Sequence, residues 1–141
     1  MTAPAKVLYA SEPALPVDDF IRVLLESGLG ATRPTGDIPR MARMLKEADL
    51  IVTARLDQPD RPLVGVARAI TDFSWCCYLS ELAVSAAAQG LGVGKGLIDE
   101  TRRLLGPQVS LILASMPDST GFYERIGMPR QADAFWFKRS K

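Results

Sequence analysis

The feature that most constrains the fold is a change of pattern in the second half of the chain. Trp75–Val84 is a predicted strand, and the glycine-rich segment Gln89–Gly94 follows it. Lys95–Leu105 then places apolar residues at helical spacing and ends at Gly106-Pro107. Val109–Ala114 has the apolar character of a buried parallel strand. Strand, helix and strand together predict a βαβ unit.

The rest of the chain predicts an antiparallel sheet flanked by helices. Turn-rich residues separate the middle strands, which is typical of a meander. The βαβ unit then adds a parallel pair, so the fold class is α+β: a mixed, mostly antiparallel central sheet with helices on both faces. The other predicted elements are the helices Asp18–Gly28, Pro39–Ala48 and Asp118–Ile126, and the strands Lys6–Ala10, Leu50–Leu56, Leu63–Thr71 and Phe135–Lys138.

Composition narrows the class of protein further. A length of 141 residues predicts a single domain over residues 1–141. The formal net charge of +1 does not favour a nucleic-acid partner, for which basic residues would cluster. No apolar run is long enough to span a bilayer. Residues 1–10 have no signal-peptide pattern, so we expect a cytoplasmic protein without a membrane partner.

Histidine and cysteine usage limits the chemistry. The chain has no histidine, which excludes catalytic triads with histidine and histidine-based zinc sites. Cys76 and Cys77 are adjacent, and neighbours in a strand point to opposite faces, so we expect neither a disulfide nor a metal site. An enzyme of this sequence must use carboxylates, tyrosine, thiols, water or the backbone.

The glycine-rich segment is a candidate anion site. Gly90, Gly92 and Gly94 let the backbone approach a bulky ligand, and the unsatisfied N–H groups of the following helix favour an anion. Lys95 adds a positive charge, so a pyrophosphate suits the loop. The segment does not match the Walker A pattern, which requires glycine at the position of Gln89 and serine or threonine at the position of Gly96. It does not match the dinucleotide-binding pattern either, which requires glycine at the position of Lys95. On loop composition alone, a turn without ligand stays open.

Two motifs resemble the GNAT N-acetyltransferase superfamily. The first is Q-x-x-G-x-G, formed by Gln89, Gly92 and Gly94. The second is the segment Gly121–Met128, which is similar to that family's FYxxxGF, with methionine in place of the last phenylalanine. The motifs extend from about Glu81 to Met128, and the order of elements fits the family along the chain.

The resemblance implies acetyl-CoA as the co-substrate and no metal. The loop amides would bind the CoA pyrophosphate, and two parallel strands would splay apart so that the pantetheine lies between them. The segment Leu82-Ala83-Val84 would line the pantetheine, with the backbones of Leu82 and Val84 as partners. The residues that the resemblance assigns to the pyrophosphate are Gln89, Gly90, Leu91, Gly92, Val93, Gly94 and Lys95.

The resemblance also implies catalytic and acceptor-binding candidates. Tyr123 matches the family tyrosine that faces the CoA sulfur, so we expect it to be the general acid. The family's usual base positions hold Ser80 and Tyr78, neither of which is a good base. Glu81 is the nearest carboxylate, but it could act as the base only if a bulge in the strand turned its side chain toward the site. Otherwise a water relay would remove the proton, or the amine would arrive already neutral.

The acceptor site is less constrained. Phe73, Trp75 and Tyr78 are candidates for its mouth, although aromatic residues in a strand also serve packing. Arg33 lies in the loop between the first two helices, where the family shapes its acceptor site, and most such charges are merely solvated. The acceptor would be a small-molecule or peptide amine, and a homodimer is an expectation from the family.

The function that these features predict is acetyl transfer from acetyl-CoA to a primary amine by direct attack on the thioester. The poor base positions keep a second hypothesis open, a non-catalytic acyl-CoA sensor. A small interaction domain without a CoA site is the third. The sequence does not identify the amine, the acyl-chain preference or the oligomeric state.

Overall fold

The computed structural model describes residues 6–141. Met1–Ala5 lie outside the described residues, and they are the first half of the segment 1–10 in which no signal peptide was expected. A five-stranded sheet in the order β1-β2-β3-β4-β5 forms its centre. The strands are β1 (Val7–Ser11), β2 (Leu50–Leu56), β3 (Leu63–Thr71), β4 (Cys76–Val84) and β5 (Ser110–Ile112). The helices are α1 (Val17–Ser27), α2 (Ile38–Lys46), α3 (Val93–Leu105) and α4 (Thr120–Arg125).

The predicted fold class is confirmed. Strands β1 to β4 pair antiparallel in chain order, and β4 pairs parallel with β5 through the crossover helix α3. The parallel register ends at Tyr78 and Ile112, whereas β4 continues to Val84. From Leu79 onward, β4 therefore has no strand partner on its β5 side among residues 6–141.

Helices cover both faces of the sheet, and each face has its own apolar core. On one face α1 and α2 bury Phe20, Leu24 and Met41 against the sheet. On the other face α3 buries Leu97 and Ile98. Burial on both faces explains why β2 and β3 are apolar along most of their length. Within the described residues, no helix is long and apolar enough to cross a membrane.

A bulge in β4 decides which of its side chains face each core. Arg68 of β3 pairs with Glu81, but the next residue, Ala69, pairs with Leu79, so Ser80 is the extra residue. Before the bulge, Leu79 belongs to the core under α3. After it, the alternation is reversed, and Glu81 lies on the face covered by α1 and α2.

Three predicted elements need correction. The strand expected at Phe135–Lys138 is wrong, because these residues form no strand and are exposed. The strand expected at Val109–Ala114 shortens to β5, an edge strand whose Ser110 and Ile112 are exposed. The helix expected at Asp118–Ile126 is a short 3-10 turn followed by α4.

Candidate active site

A cleft of about 780 Å³ opens where β4 extends beyond β5. One wall is the end of β4, with Leu82 and Val84. The glycine-rich loop and the start of α3 form the floor, α4 forms a second wall, and the turn after α1 forms a third. The cleft therefore combines an open strand edge, a helix N-terminus and a tyrosine-bearing helix.

The cleft contains most of the residues predicted to bind the co-substrate. Those that line it are Leu82, Val84, Gln89, Gly90, Gly92, Val93, Gly94 and Lys95. Ala83 does not, because its side chain is 1% exposed in the core under α1 and α2. Leu91 does not line the cleft either, and its side chain is 54% exposed to solvent.

The loop ends in an N-terminal helix turn that no side chain caps. Gly90 and Gly92 have φ values of 87° and 77°, a left-handed conformation that favours glycine. Gly92 is the N-cap of α3, and it has no side chain to bond the first amides. Those amides and the helix dipole make the turn an electropositive site suited to a phosphate.

Gly94 and Lys95 differ in how they serve this site. A Cβ on Gly94 would lie 2.9 Å from Cζ of Phe122, so this glycine lets α4 pack closely on the loop. Lys95 Nζ lies 2.7 Å from Asp99 Oδ2, and both side chains are more than half exposed. Exposed pairs of this kind contribute little, so the lysine can turn toward an anion.

Tyr123 lies on α4 and lines the cleft. Its ring packs edge-on against Phe122 with centroids 5.0 Å apart. Burial raises the pKa of the Tyr123 phenol above its ordinary value of 10.0. The phenol therefore stays protonated at neutral pH and can donate a proton or a hydrogen bond into the cleft.

Glu81 is held in a buried ion-pair network. Its carboxylate accepts hydrogen bonds from Arg33 Nε at 2.7 Å, from Ser80 Oγ at 2.8 Å and from Arg68 Nε. The residue is 2% exposed and does not line the cleft. Arg68 also donates to the Met44 carbonyl, 3.1 Å away, and so links the network to α2. This placement argues against Glu81 as a direct base, since both oxygens are engaged.

Arg33 holds the loop between α1 and α2 to the sheet. Besides Glu81, its guanidinium bonds the Ser80 carbonyl at 2.8 Å and Thr32 Oγ1 at 2.9 Å. Thr32 lines the cleft, so Arg33 positions one wall rather than lining it. The geometry therefore favours a positioning role over the predicted contact with the acceptor.

The three aromatic acceptor candidates lie outside this cleft. Phe73 and Trp75 are 50% and 77% exposed on the connection from β3 to β4. Tyr78 is 43% exposed and pairs with Ile70 and Ile112 across three strands. The cleft does not bring these side chains together with Tyr123.

Sequence reasoning missed several polar residues of the cleft. Asp118 and Arg125 line it from the α4 side, and Ser27 and Thr32 line it from the α1 side. Asp118 is the carboxylate among the lining residues. Its proximity to the Gly121–Met128 motif was the available signal, because a residue just before a motif helix lies at that helix's N-terminal end.

The family is shown by comparison with known proteins. The family model described as acetyltransferase (GNAT) domain matches residues 38–138, which is more than half of the chain. The chain belongs to this family, as the two motifs predicted. A curated relative, the uncharacterized N-acetyltransferase ycf52 of Pyropia yezoensis, is 29% identical over 102 residues. The match covers 67% of this chain and 59% of that relative, so the chain spans about three fifths of its length.

Solved structures support the same fold. A GNAT family acetyltransferase from Streptococcus pneumoniae TIGR4 has a TM-score of 0.69 at 18% identity, with 95% of this chain and 99% of that one covered. The aminoglycoside N-acetyltransferase AAC(6')-Iy in complex with CoA has a TM-score of 0.71 at 14% identity, with 100% and 99% covered. At these identities the likeness shows the fold alone.

Proposed function

We propose that the protein transfers an acetyl group from acetyl-CoA to a primary amine by direct attack on the thioester, in a ternary complex. The observation that carries the proposal is one cleft in which an uncapped helix N-terminus, an open strand edge and a neutral tyrosine converge. Family membership supports acetyl transfer, and AAC(6')-Iy, which has the same fold, is described with CoA bound.

The loop and the strand would hold the two ends of the co-substrate. The amides of residues 90–94 and the N-terminus of α3 would bind the pyrophosphate, with Lys95 as a further cation. The backbones of Leu82 and Val84 would bond the pantetheine along the open part of β4. An amide fixed near the thioester oxygen would stabilise the developing oxyanion, which is worth about 3 kcal/mol in other enzymes.

Proton transfers would then complete the reaction. The amine nitrogen attacks the thioester carbon, and the C–S bond breaks to release the CoA thiolate. Tyr123 would give its proton to that thiolate. Because Glu81 is fully engaged by two arginines, we propose that the amine enters neutral or loses its ammonium proton to water before the attack. In either case the nitrogen gives a second proton to water once the C–N bond has formed, and Tyr123 regains its own proton from water.

Replacing Tyr123 with phenylalanine tests the assignment. Phenylalanine keeps the ring that packs on Phe122 but removes the proton donor, so kcat should fall by about 10²-fold or more while acetyl-CoA binding stays. The rate of CoA release should be measured with a panel of amines. Tyr9→Phe is the matched control, since Tyr9 is also a tyrosine with a raised pKa but lies outside the cleft.

A thermal-shift measurement tests the binding step separately. Acetyl-CoA at about 100 times its dissociation constant should stabilise the fold by about 2.7 kcal/mol. No shift at millimolar acetyl-CoA would contradict both the enzyme and the sensor. Binding without CoA release across a broad amine panel would favour the acyl-CoA sensor, for which the engagement of Glu81 is the supporting observation.

The proposal also covers the class of acceptor. A small-molecule or peptide amine would enter beside the turn after α1, where Ser27 and Thr32 supply polar groups. A structure of AAC(6')-Iy is described with a bisubstrate analogue, CoA-S-monomethyl-acetylneamine, which joins CoA to an amine-containing acceptor. The cytoplasmic location that the sequence predicts stays a prediction.

A further inference from the structure

Three apolar side chains form an exposed row on the face of the sheet that α1 and α2 cover only in part. Ile70, Tyr78 and Ile112 are partners across β3, β4 and β5, and each is 42–44% exposed. Ala69 and Leu79, their neighbours in the strands, belong to the core under α3, so strand alternation directs Ile70 and Tyr78 to the opposite face. We call these three side chains the apolar row.

The apolar row lies where β4 and β5 separate. Tyr78 and Ile112 are the last paired residues of these strands, and the cleft follows along β4 at Leu82. Four residues of a strand span roughly 13 Å, which is the distance along β4 from Tyr78 to Leu82. The cleft is lined by α4 on one face of the sheet and by the turn after α1 on the other. A group held beside Leu82 can therefore be reached from the α1 side.

Ser80 and Arg33 connect the apolar row to the cleft. Ser80 follows Tyr78 by two residues, and its carbonyl accepts a hydrogen bond from Arg33 at 2.8 Å. Arg33 also donates to Oγ1 of Thr32, 2.9 Å away, and Thr32 lines the cleft. The mouth of the cleft on the α1 side is therefore continuous along β4 with the apolar row.

The charged network at this junction does not favour a cation. Arg33 and Arg68 share the single carboxylate of Glu81, so the three side chains together carry one net positive charge. Arg68 also donates to Oγ of Ser80 at 3.1 Å, which brings this charge next to the apolar row. Like charges repel, so a second amino group on an acceptor would be disfavoured here.

The carboxylates at the other end of the apolar row are already engaged. Asp49 Oδ2 accepts a hydrogen bond from the amide of Thr71, the residue after Ile70, at 2.9 Å. Asp72 Oδ1 accepts from the amide of Trp75 at 2.8 Å and also bonds two neighbouring amides. An ammonium group beyond the row would have to compete with these bonds.

We propose that the apolar row binds the body of the acceptor, so that the substrate class is a primary amine with an alkyl or aromatic chain and no second amino group. This inference rests on the proposed acetyl transfer and specifies its acceptor. The amino group enters past Ser80 and reaches the thioester beside Leu82, while the chain covers Tyr78 and its two partners. Removal of this apolar surface from water supplies the affinity for the acceptor.

Two acceptors of equal length test the substrate class. Heptylamine and hexamethylenediamine differ only at the far end, which is a methyl group in one and an ammonium group in the other. We expect kcat/KM for CoA release to be about tenfold or more higher with heptylamine, because one misplaced group in an apolar site already changes this ratio by that much.

A double variant tests the apolar row itself. Tyr78→Ser with Ile112→Ser should raise KM for heptylamine by about tenfold or more, with KM for hexamethylenediamine and for acetyl-CoA unchanged. An acceptor-specific effect of this kind would not arise from a general loss of structure. The matched control is Ile38→Ser, because Ile38 is 46% exposed at the first residue of α2 and lies outside the row.

Binding of the product tests the same surface without turnover. N-heptylacetamide should shift the isoleucine methyl resonances of Ile70 and Ile112 in the full chain, with that of Ile38 as the internal control. This measurement decides the matter even if the double variant fails to fold.

The other outcomes separate the two levels of the proposal. An equal or higher kcat/KM with hexamethylenediamine overturns the substrate class and leaves the proposed acetyl transfer standing. An unchanged KM for heptylamine in the folded double variant, or unshifted resonances of Ile70 and Ile112, does the same. The absence of CoA release with every amine contradicts the acetyl transfer, and the substrate class with it.

Discussion

Glu81→Ala should destabilise the fold far more than the loss of one ordinary ion pair. The carboxylate is 2% exposed and is shared by Arg33, Arg68 and Ser80. Its removal leaves two guanidinium groups without their anion in a region that solvent reaches poorly. The expected loss comes from this uncompensated charge rather than from lost packing.

The magnitude follows from how deeply each arginine is buried. The Arg68 side chain is 9% exposed, so its unpaired charge carries most of the cost. The Arg33 side chain is 22% exposed and recovers part of its solvation. Breaking a buried pair from one side costs about 3–5 kcal/mol. For a domain of this size we expect a fall in Tm of about 10–17 °C.

Urea unfolding and thermal melts measure the effect. The matched control is Asp99→Ala, which breaks the exposed pair with Lys95 and should cost only about 0.3–0.5 kcal/mol. The dependence of the unfolding free energy on urea concentration, the m value, should be the same in both variants and in the unchanged protein. An unchanged m value shows that the unfolded state is the same. A cost for Glu81→Ala below about 1 kcal/mol, the value of one hydrogen bond, would refute the network as described.

Two further predictions concern side chains close to the core. Gly96→Ala should destabilise the fold by about 1–3 kcal/mol in urea titrations, because its Cβ would lie 2.1 Å from the Tyr9 hydroxyl. Gly36→Ala, with nothing within 4 Å, is the control and should have no such cost. Burial raises the pKa of the Cys77 thiol to about 11, so alkylation at pH 8 followed by mass spectrometry should modify the exposed Cys76 alone. Modification of both thiols in the folded protein would contradict this.

Sequence patterns predicted the sheet and its crossover because those features depend on local periodicity. β2 and β3 begin and end at the predicted residues, Leu50–Leu56 and Leu63–Thr71. α3 begins two residues earlier than expected, at Val93, since a glycine-rich sequence gives a weak signal for a helix start. The helical propensity of Gly94 is poor, but a larger residue would crowd Phe122, because its Cβ would lie 2.9 Å from Cζ of that ring.

The environment of Glu81 could not be predicted, because it depends on contacts distant in sequence. Arg33 lies 48 residues before Glu81, and no periodicity links the two. The strand prediction at Phe135–Lys138 failed for a related reason. Its alternating aromatic residues have strand character, but a strand forms only when its backbone pairs with a neighbouring strand, and these residues pair with none among the described residues.

The extra residue Ser80 explains two features of the site at once. Without it, strict alternation would direct Glu81 to the core under α3 and Leu82 to the opposite face. With it, Glu81 reaches Arg33 and holds the turn after α1, while Leu82 packs on the α3 side and lines the cleft. The same bulge therefore helps to hold the turn after α1, which is one wall of the cleft, and directs the side chains of β4, which is another wall. Any change that removes the bulge should disturb loop position and co-substrate binding together, even though Ser80 itself does not line the cleft.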